Sequence, residues 1–508
     1  MNKFLITLSI IYITSLPVLC SDFETLAPAN PLAPQVIPDN TIAIPIKKVT
    51  LTHNDIHNQY AIAFNRFMQS NTKASYNDFK ILIQTMDYND FAYMKLAEYM
   101  ADIGFFDLSE LAGKQIQDKT ISAYLLDDIK LYYFPSKKLK TDDEIYLGEV
   151  FANIIYNDQS REATAELVKN TELLANSDYA NFVVALGYLK SNEIIEAEKY
   201  INVALKTNPK NLNYKKLKAE ILSQGKNPKN ASKIVSEIKQ EKLYTTDITN
   251  KVNSLEQYVL YKSKKVYAEK MYHLGYYYYY ENEPAKAVRA LQSAVSSKKK
   301  LNKDIYALLS RVYFDSQDYE KAQDSAQKAV KLDGNNSTAL LVLGDLSYRT
   351  GDYKTALKYY KNAETNTKNS SLPSIKVAQT YEKLEKSKKA FEIYEKVIRS
   401  YNDCYIAYYK VALKDKSKEV AYLKKSLSIN INFTDAWLEL CRIAIEQKNF
   451  DEAKKYLKIS KYIDENNYKY YYYQGLLAKR QGFDGKSYFE KSLMLEPDYK
   501  PAKEELNI

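Results

Sequence analysis

Residues 268–302 read AEKMYHLGYYYYYENEPAKAVRALQSAVSSKKKLN. The first half sets Met271, Leu274, Gly275 and Tyr278 at the spacing of one helical stripe. Glu281-Asn282-Glu283-Pro284 then makes a turn, and its proline suits the first position of a new helix, where no backbone N–H is needed. From about Ala285 to Ser296 a second helix carries Ala287, Leu291 and Ala294 on its inner face. The arrangement returns twice more. A small residue follows an apolar one at Leu274-Gly275, Leu309-Ser310 and Leu343-Gly344; alanines recur at Ala287, Ala322 and Ala356, and again at Ala294, Ala329 and Ala363.

A period near 34 residues, each unit reading as two short helices, predicts an α-solenoid in which every hairpin packs on its neighbours. The small residues have a steric reason. Helices pack about 8–10 Å apart, and only Gly, Ala or Ser at a crossing lets two of them come closer. With just 12 Gly and 13 Pro among 508 residues, and abundant Lys, Glu, Ala and Leu, the composition is that of an all-α protein.

The pattern resembles the tetratricopeptide repeat family, whose unit has Trp, Leu and Gly in helix A and Ala, an aromatic and Ala in helix B, often with a closing proline. Copies start near 268, 303, 337, 371, 405, 434 and 468, at spacings of 35, 34, 34, 34, 29 and 34. The 371 copy contributes Ala378, Tyr381, Ala390 and Tyr394; the 434 copy Trp437, Leu440, Ala453 and Leu457; the last Gly475, Phe489, Ser492 and Pro497, two residues short in its inter-helix turn. The 405 copy is five residues short. The resemblance implies an all-α, right-handed superhelical α-solenoid of antiparallel helix pairs.

Outside the array the organisation is looser. Residues 1–20 read as a secretory signal peptide: Lys3, an apolar run from Phe4 to Ile13, a polar break, and a cut near Cys20 or Ser21. The run is shorter than the roughly 20 residues of a membrane span. Residues 21–50, with Pro28, Pro31, Pro34, Pro38 and Pro45, read as an extended tether. Residues 51–178 are expected to be a helical region of decayed repeats, with periodic stretches at Asp78 to Thr85, Asp90 to Ile103 and Glu144 to Tyr156. Two degenerate repeats follow over 179–245, then a connecting helix over 246–267, then the array over 268–508. Export implies a periplasmic or extracellular location, with membrane contact only if Cys20 is lipidated or the signal retained.

The search for chemistry excludes more than it finds. There is no phosphate-binding loop, dinucleotide fingerprint or nucleophile elbow. His53 and His57 have the spacing of paired metal ligands, but Asn54 stands where a metalloprotease has its glutamate. No catalysis, cofactor or metal is expected. The net charge of +10 comes from 73 basic and 63 acidic residues spread along the chain, so no basic face marks a nucleic-acid binder. Lys298-Lys299-Lys300 reads as a solvated turn, and Cys441 as a packed thiol at a small-residue position.

What remains is the surface. In the family resembled, helix A residues line a concave groove that receives peptides. By register these positions are Tyr272, His273, Tyr276, Tyr279, Tyr280, Arg311, Phe314, Asp345, Tyr348, Arg349, Gln379, Lys383, Arg442, Tyr472, Tyr473, Lys479 and Arg480. The family's Lys and Asn clamp for a C-terminal carboxylate has Tyr272 and Tyr276 in its place, so that activity is not implied. The expectation is an exported scaffold for partner proteins or peptides. Its alternatives are a cell-envelope or polysaccharide-secretion accessory whose tyrosines stack on sugar rings, and a hydrolase with its site within 54–178.

Overall fold

A computed structural model describes residues 53–85, 90–225, 228–241, 246–295, 302–367, 370–401, 404–464 and 466–507. The signal peptide, Cys20, the Pro-rich tether and Lys298-Lys299-Lys300 lie outside these residues. His53 and His57 fall on the helix His53–Met68, at positions whose side chains are likewise not described. Among the described residues the regular elements are α-helices, 28 of them, with no strand. No helix there is long and apolar enough to cross a membrane. The chain divides into two units, one of residues up to 118 with 133–193, the other of 119–132 with 194 onward. The division falls inside the span expected to hold two degenerate repeats.

The first unit is a bundle of helix pairs around an aromatic core. Thr72–Thr85, Asp90–Asp102 and Thr141–Ile155 cover the three stretches whose periodicity is helical in the sequence, the last two ending one residue earlier than expected. Phe105 is central, with the rings of Phe67 and Tyr76 at 5.5 and 5.2 Å. Phe106 meets Tyr179 edge-on at 4.9 Å. Buried Glu144 accepts from the backbone N–H of Asp107 at 3.1 Å, in the first turn of the helix Phe106–Gln115. Burial dominates over that bond and raises its pKa to about 8.

In the second unit the helix Thr246–Ser263 ends four residues earlier than periodicity indicates. Val266 is extended, and Tyr267 already opens the first helix of the regular array. Seven consecutive hairpins follow, from Tyr267–Tyr280 with Pro284–Val295 to Tyr468–Arg480 with Lys486–Leu495, and the short helix Lys500–Leu506 packs on the last. Pro284 is the first residue of its helix. The 405 copy forms a hairpin as well, from Tyr405–Ala412 and Glu419–Ile429.

The small residues lie where the helices cross. Ala287, Ala322, Ala356, Ala294, Ala329 and Ala363 are all wholly buried. Volumes are matched in pairs: a Cβ at Gly344 would lie 2.5 Å from the ring of Tyr360, and one at Gly475 2.6 Å from Phe489. Where helix A has Ser310 instead, the residue sixteen further on is Ala326. Ala356→Phe is therefore expected to destabilise the array by about 1–3 kcal/mol through overpacking. A thermal midpoint equal to that of the parent would remove Ala356 from the crossing.

Six of the seven hairpins are closed by the same joint, the short 405 hairpin being the exception. Asn282, Gln317, Gly351, Glu385, Lys448 and Gly482 take a left-handed conformation after helix A, with φ between 55° and 84°. The next N–H then turns back onto helix A, as in Asp318 N to Tyr313 O at 2.9 Å and Asp352 N to Ser347 O at 2.9 Å. In three joints that same residue also caps helix B: the side chains of Asp318, Asp352 and Asn449 accept from the N–H groups of Lys321, Thr355 and Glu452.

Candidate functional site

The tyrosine run shows how helical geometry sorts like residues. Tyr277 is buried, its ring 5.7 Å from Tyr258. Tyr272, Tyr276 and Tyr280, four apart, form a half-buried column with ring spacings of 5.2 and 6.1 Å, and Tyr279 lies 5.7 Å from Tyr280. His273 meets the Gln257 amide at 2.9 Å. Burial, aided by Lys264, lowers its pKa to about 4, so it is neutral at pH 7. Burial also pushes the hydroxyls of Tyr279 and Tyr280 up to about 12.

From Tyr279 a continuous polar strip runs across successive hairpins. The Tyr279 hydroxyl donates to Asp315 at 2.9 Å; Arg311 reaches Asp315 at 2.7 Å and Asp345 at 3.2 Å. Asp345 also receives Lys376 at 2.8 Å and the Tyr360 hydroxyl at 2.6 Å. Only 3% of the Asp345 side chain is exposed. Register alone presents Asp345 to a ligand, but its carboxylate is enclosed by three partners. Tyr473 is buried too, its hydroxyl 3.4 Å from Glu439. Arg442 binds Glu439 and Glu446, each at 2.7 Å, and also Glu419. Arg349 lies 4.2 Å over the ring of Tyr319, and Arg311 5.6 Å from Phe314. Tyr472 meets Tyr499 at 5.3 Å, and Lys479 pairs with Glu505 at 2.6 Å. Arg480 is exposed.

Three of the residues expected from register, Tyr348, Gln379 and Lys383, come together in one pocket of about 670 Å³. Its other lining residues are Glu382, Ser387, Phe391, Tyr394, Lys410 and Lys414. Reading helix A alone misses most of these, because four of the six belong to a second helix or to the turn after the short helix Tyr405–Ala412. The signal was the five-residue shortfall of the 405 copy. The neighbouring first helices Leu372–Lys383 and Thr434–Glu446 have 12 and 13 residues, whereas Tyr405–Ala412 has 8. Losing four residues removes about 6 Å of helix; in the preceding hairpin Phe391 is only half-buried, whereas the Tyr394 ring is buried. Cys404 and Cys441 are both buried and are not joined in a disulfide. Among the described residues no group of three His, Cys, Asp or Glu is arranged to hold a metal.

Residues 272–337, 307–371 and 375–404 match sequence models described as tetratricopeptide repeat. No curated protein sequence matches the chain. Among solved structures it is similar to the APC/C hetero-tetramer Cut9-Hcn1, at 13% identity over 90% of this chain and 96% of that one, TM-score 0.39. It is also similar to pilF of Pseudomonas aeruginosa, at 17% identity over 47% of this chain and 97% of that one, TM-score 0.26. A third is YrrB, described as a TPR protein with an unusual peptide-binding site, at 16% identity over 43% and 98%, TM-score 0.24.

Proposed function

From the premise that its array is built of tetratricopeptide repeats, we propose that this protein is a non-catalytic, exported scaffold that docks partner proteins or peptides on the first-helix side of the array. The observation that carries the docking surface is the strip from Tyr272 to Lys376. Tyr272, Tyr276, Tyr279, Tyr280 and Arg311 are half-buried, and its charged ends are already joined to one another. Tyrosine and arginine dominate binding hot spots, and side chains fixed before the partner arrives lose little freedom on binding. Neighbouring first helices also pack on each other, Asn302–Asp315 on Ser337–Arg349 and Thr434–Glu446 on Tyr468–Arg480, which a curved array requires of its inner side. Export rests on the reading of residues 1–20 and is tested by fractionating cells that express the full chain.

Docking is tested by affinity capture with the Tyr276→Ala, Tyr280→Ala double variant, which is expected to weaken partner binding about 10–30-fold, the range of one truncated hot spot. Partners retained at parental affinity would move the surface elsewhere. Capture of soluble glycans in place of proteins would favour an envelope or polysaccharide accessory, with the Tyr272, Tyr276 and Tyr280 rings as the stacking column.

A further inference from the structure

The geometry points to a defined partner chemistry at the pocket made by the short repeat: an acidic peptide segment that sets side-chain carboxylates between Lys383 and Lys414 and an apolar side chain on Phe391. This deepens the docking reading above and rests on it. The pocket holds three lysines against one acid. Glu382 is already taken, accepting from Lys410 at 2.9 Å and from the Tyr394 hydroxyl at 3.2 Å, so those three groups are mutually satisfied. Lys383 and Lys414 are exposed, and among the described residues neither has an ion-pair partner. Two amines, one from each of two adjacent hairpins, thus leave the pocket with uncompensated positive charge.

The helix start at Ser387 points the same way. Ser387 opens the 14-residue helix Ser387–Ser400, and Lys386 before it gives no side-chain cap, so the positive end of that helix adds to the lysines. In the hairpins starting at 303, 337 and 434, an Asp or Asn side chain fills the corresponding position. Half-buried Phe391 and the buried ring of Tyr394 supply apolar area beside the charge. About 670 Å³ lies within the range of small-ligand pockets and suits two or three peptide residues rather than a folded surface. A segment alternating Asp or Glu with Phe or Leu would use both the lysines and Phe391.

The test is a fluorescence-anisotropy titration of the full chain. The probe is a labelled, C-terminally amidated peptide of alternating Asp, Glu and Phe, compared with its Asn, Gln and Phe counterpart. Amidation leaves side-chain carboxylates as the only acids. The acidic peptide is expected to bind at least about tenfold tighter, with affinity falling as salt rises. Lys383→Glu with Lys414→Glu should abolish the preference; both side chains are exposed, and an unchanged circular-dichroism melt confirms folding. Equal affinity for the two peptides, or a preference that survives the double variant, overturns the proposal. Natural partners that stay bound to that variant but are lost from Tyr276→Ala, Tyr280→Ala would refute the acidic pocket and leave the scaffold reading standing.

Discussion

Trp437→Ala should cost about 3–5 kcal/mol, as expected when a fully buried indole is deleted from a packed core. Trp437 is wholly buried at the head of the 434 hairpin, with the Tyr456 ring 5.8 Å away. Its Nε1–H donates to the carbonyl of Ile431 at 2.8 Å, in the connection from the short repeat. Alanine would leave both a cavity and an acceptor without its donor. Trp437→Phe separates the two, keeping most of the apolar volume and losing only the bond, so it should cost about 1–3 kcal/mol. Trp437 is the only tryptophan; in the parent its fluorescence therefore reports this hairpin alone, and the variants are followed by circular dichroism during urea unfolding. Equal midpoints for parent and Trp437→Ala would place the indole outside the core.

Asp345→Ala is expected to destabilise the array by about 3 kcal/mol, because it breaks a buried charge cluster from its centre. The loss strands the Tyr360 hydroxyl in the interior and leaves Arg311 and Lys376 without their shared anion. Both cations are more than a quarter exposed and keep some hydration, which places the cost near the low end of the range for buried pairs. Arg311→Ala should cost less, since Lys376 and Tyr360 remain on the carboxylate. Hydrogen exchange localises the effect: protection should fall in Ser337–Arg349 and Leu372–Lys383 and persist in Tyr468–Arg480. Uniform protection would show that Asp345 links nothing across hairpins.

The register of the array was legible because it depends on residues with only one reading. Alanines at fixed intervals have no reason to recur in a surface, and all six marked by the period are wholly buried. The short 405 copy was visible as a missing five residues. Its consequence was not, because the pocket depends on which turn of which helix is absent and what that uncovers. The tyrosines were ambiguous for a related reason: a residue with an apolar ring and a polar tip is at home on either side of a helix, so Tyr277 and Tyr276 differ only by angle. Asp345 was misleading from position alone. A charge on the inner helices reads as ligand-facing until Arg311, Lys376 and Tyr360, on three different helices, are seen to converge on it. The first unit has no comparable period, and around Phe105 the sequence offers only helical spacing and the outline of a decayed repeat over Met94 to Phe106.

The left-handed joints have one more consequence. Each bend is completed by bonds spanning a few residues, so a hairpin takes its angle from its own chain and borrows nothing from distant segments. Contacts this local favour rapid assembly, starting at any well-formed hairpin and spreading outward. They also make the hairpin the natural quantum of change: a gene can duplicate or delete one whole unit and keep every other bend intact.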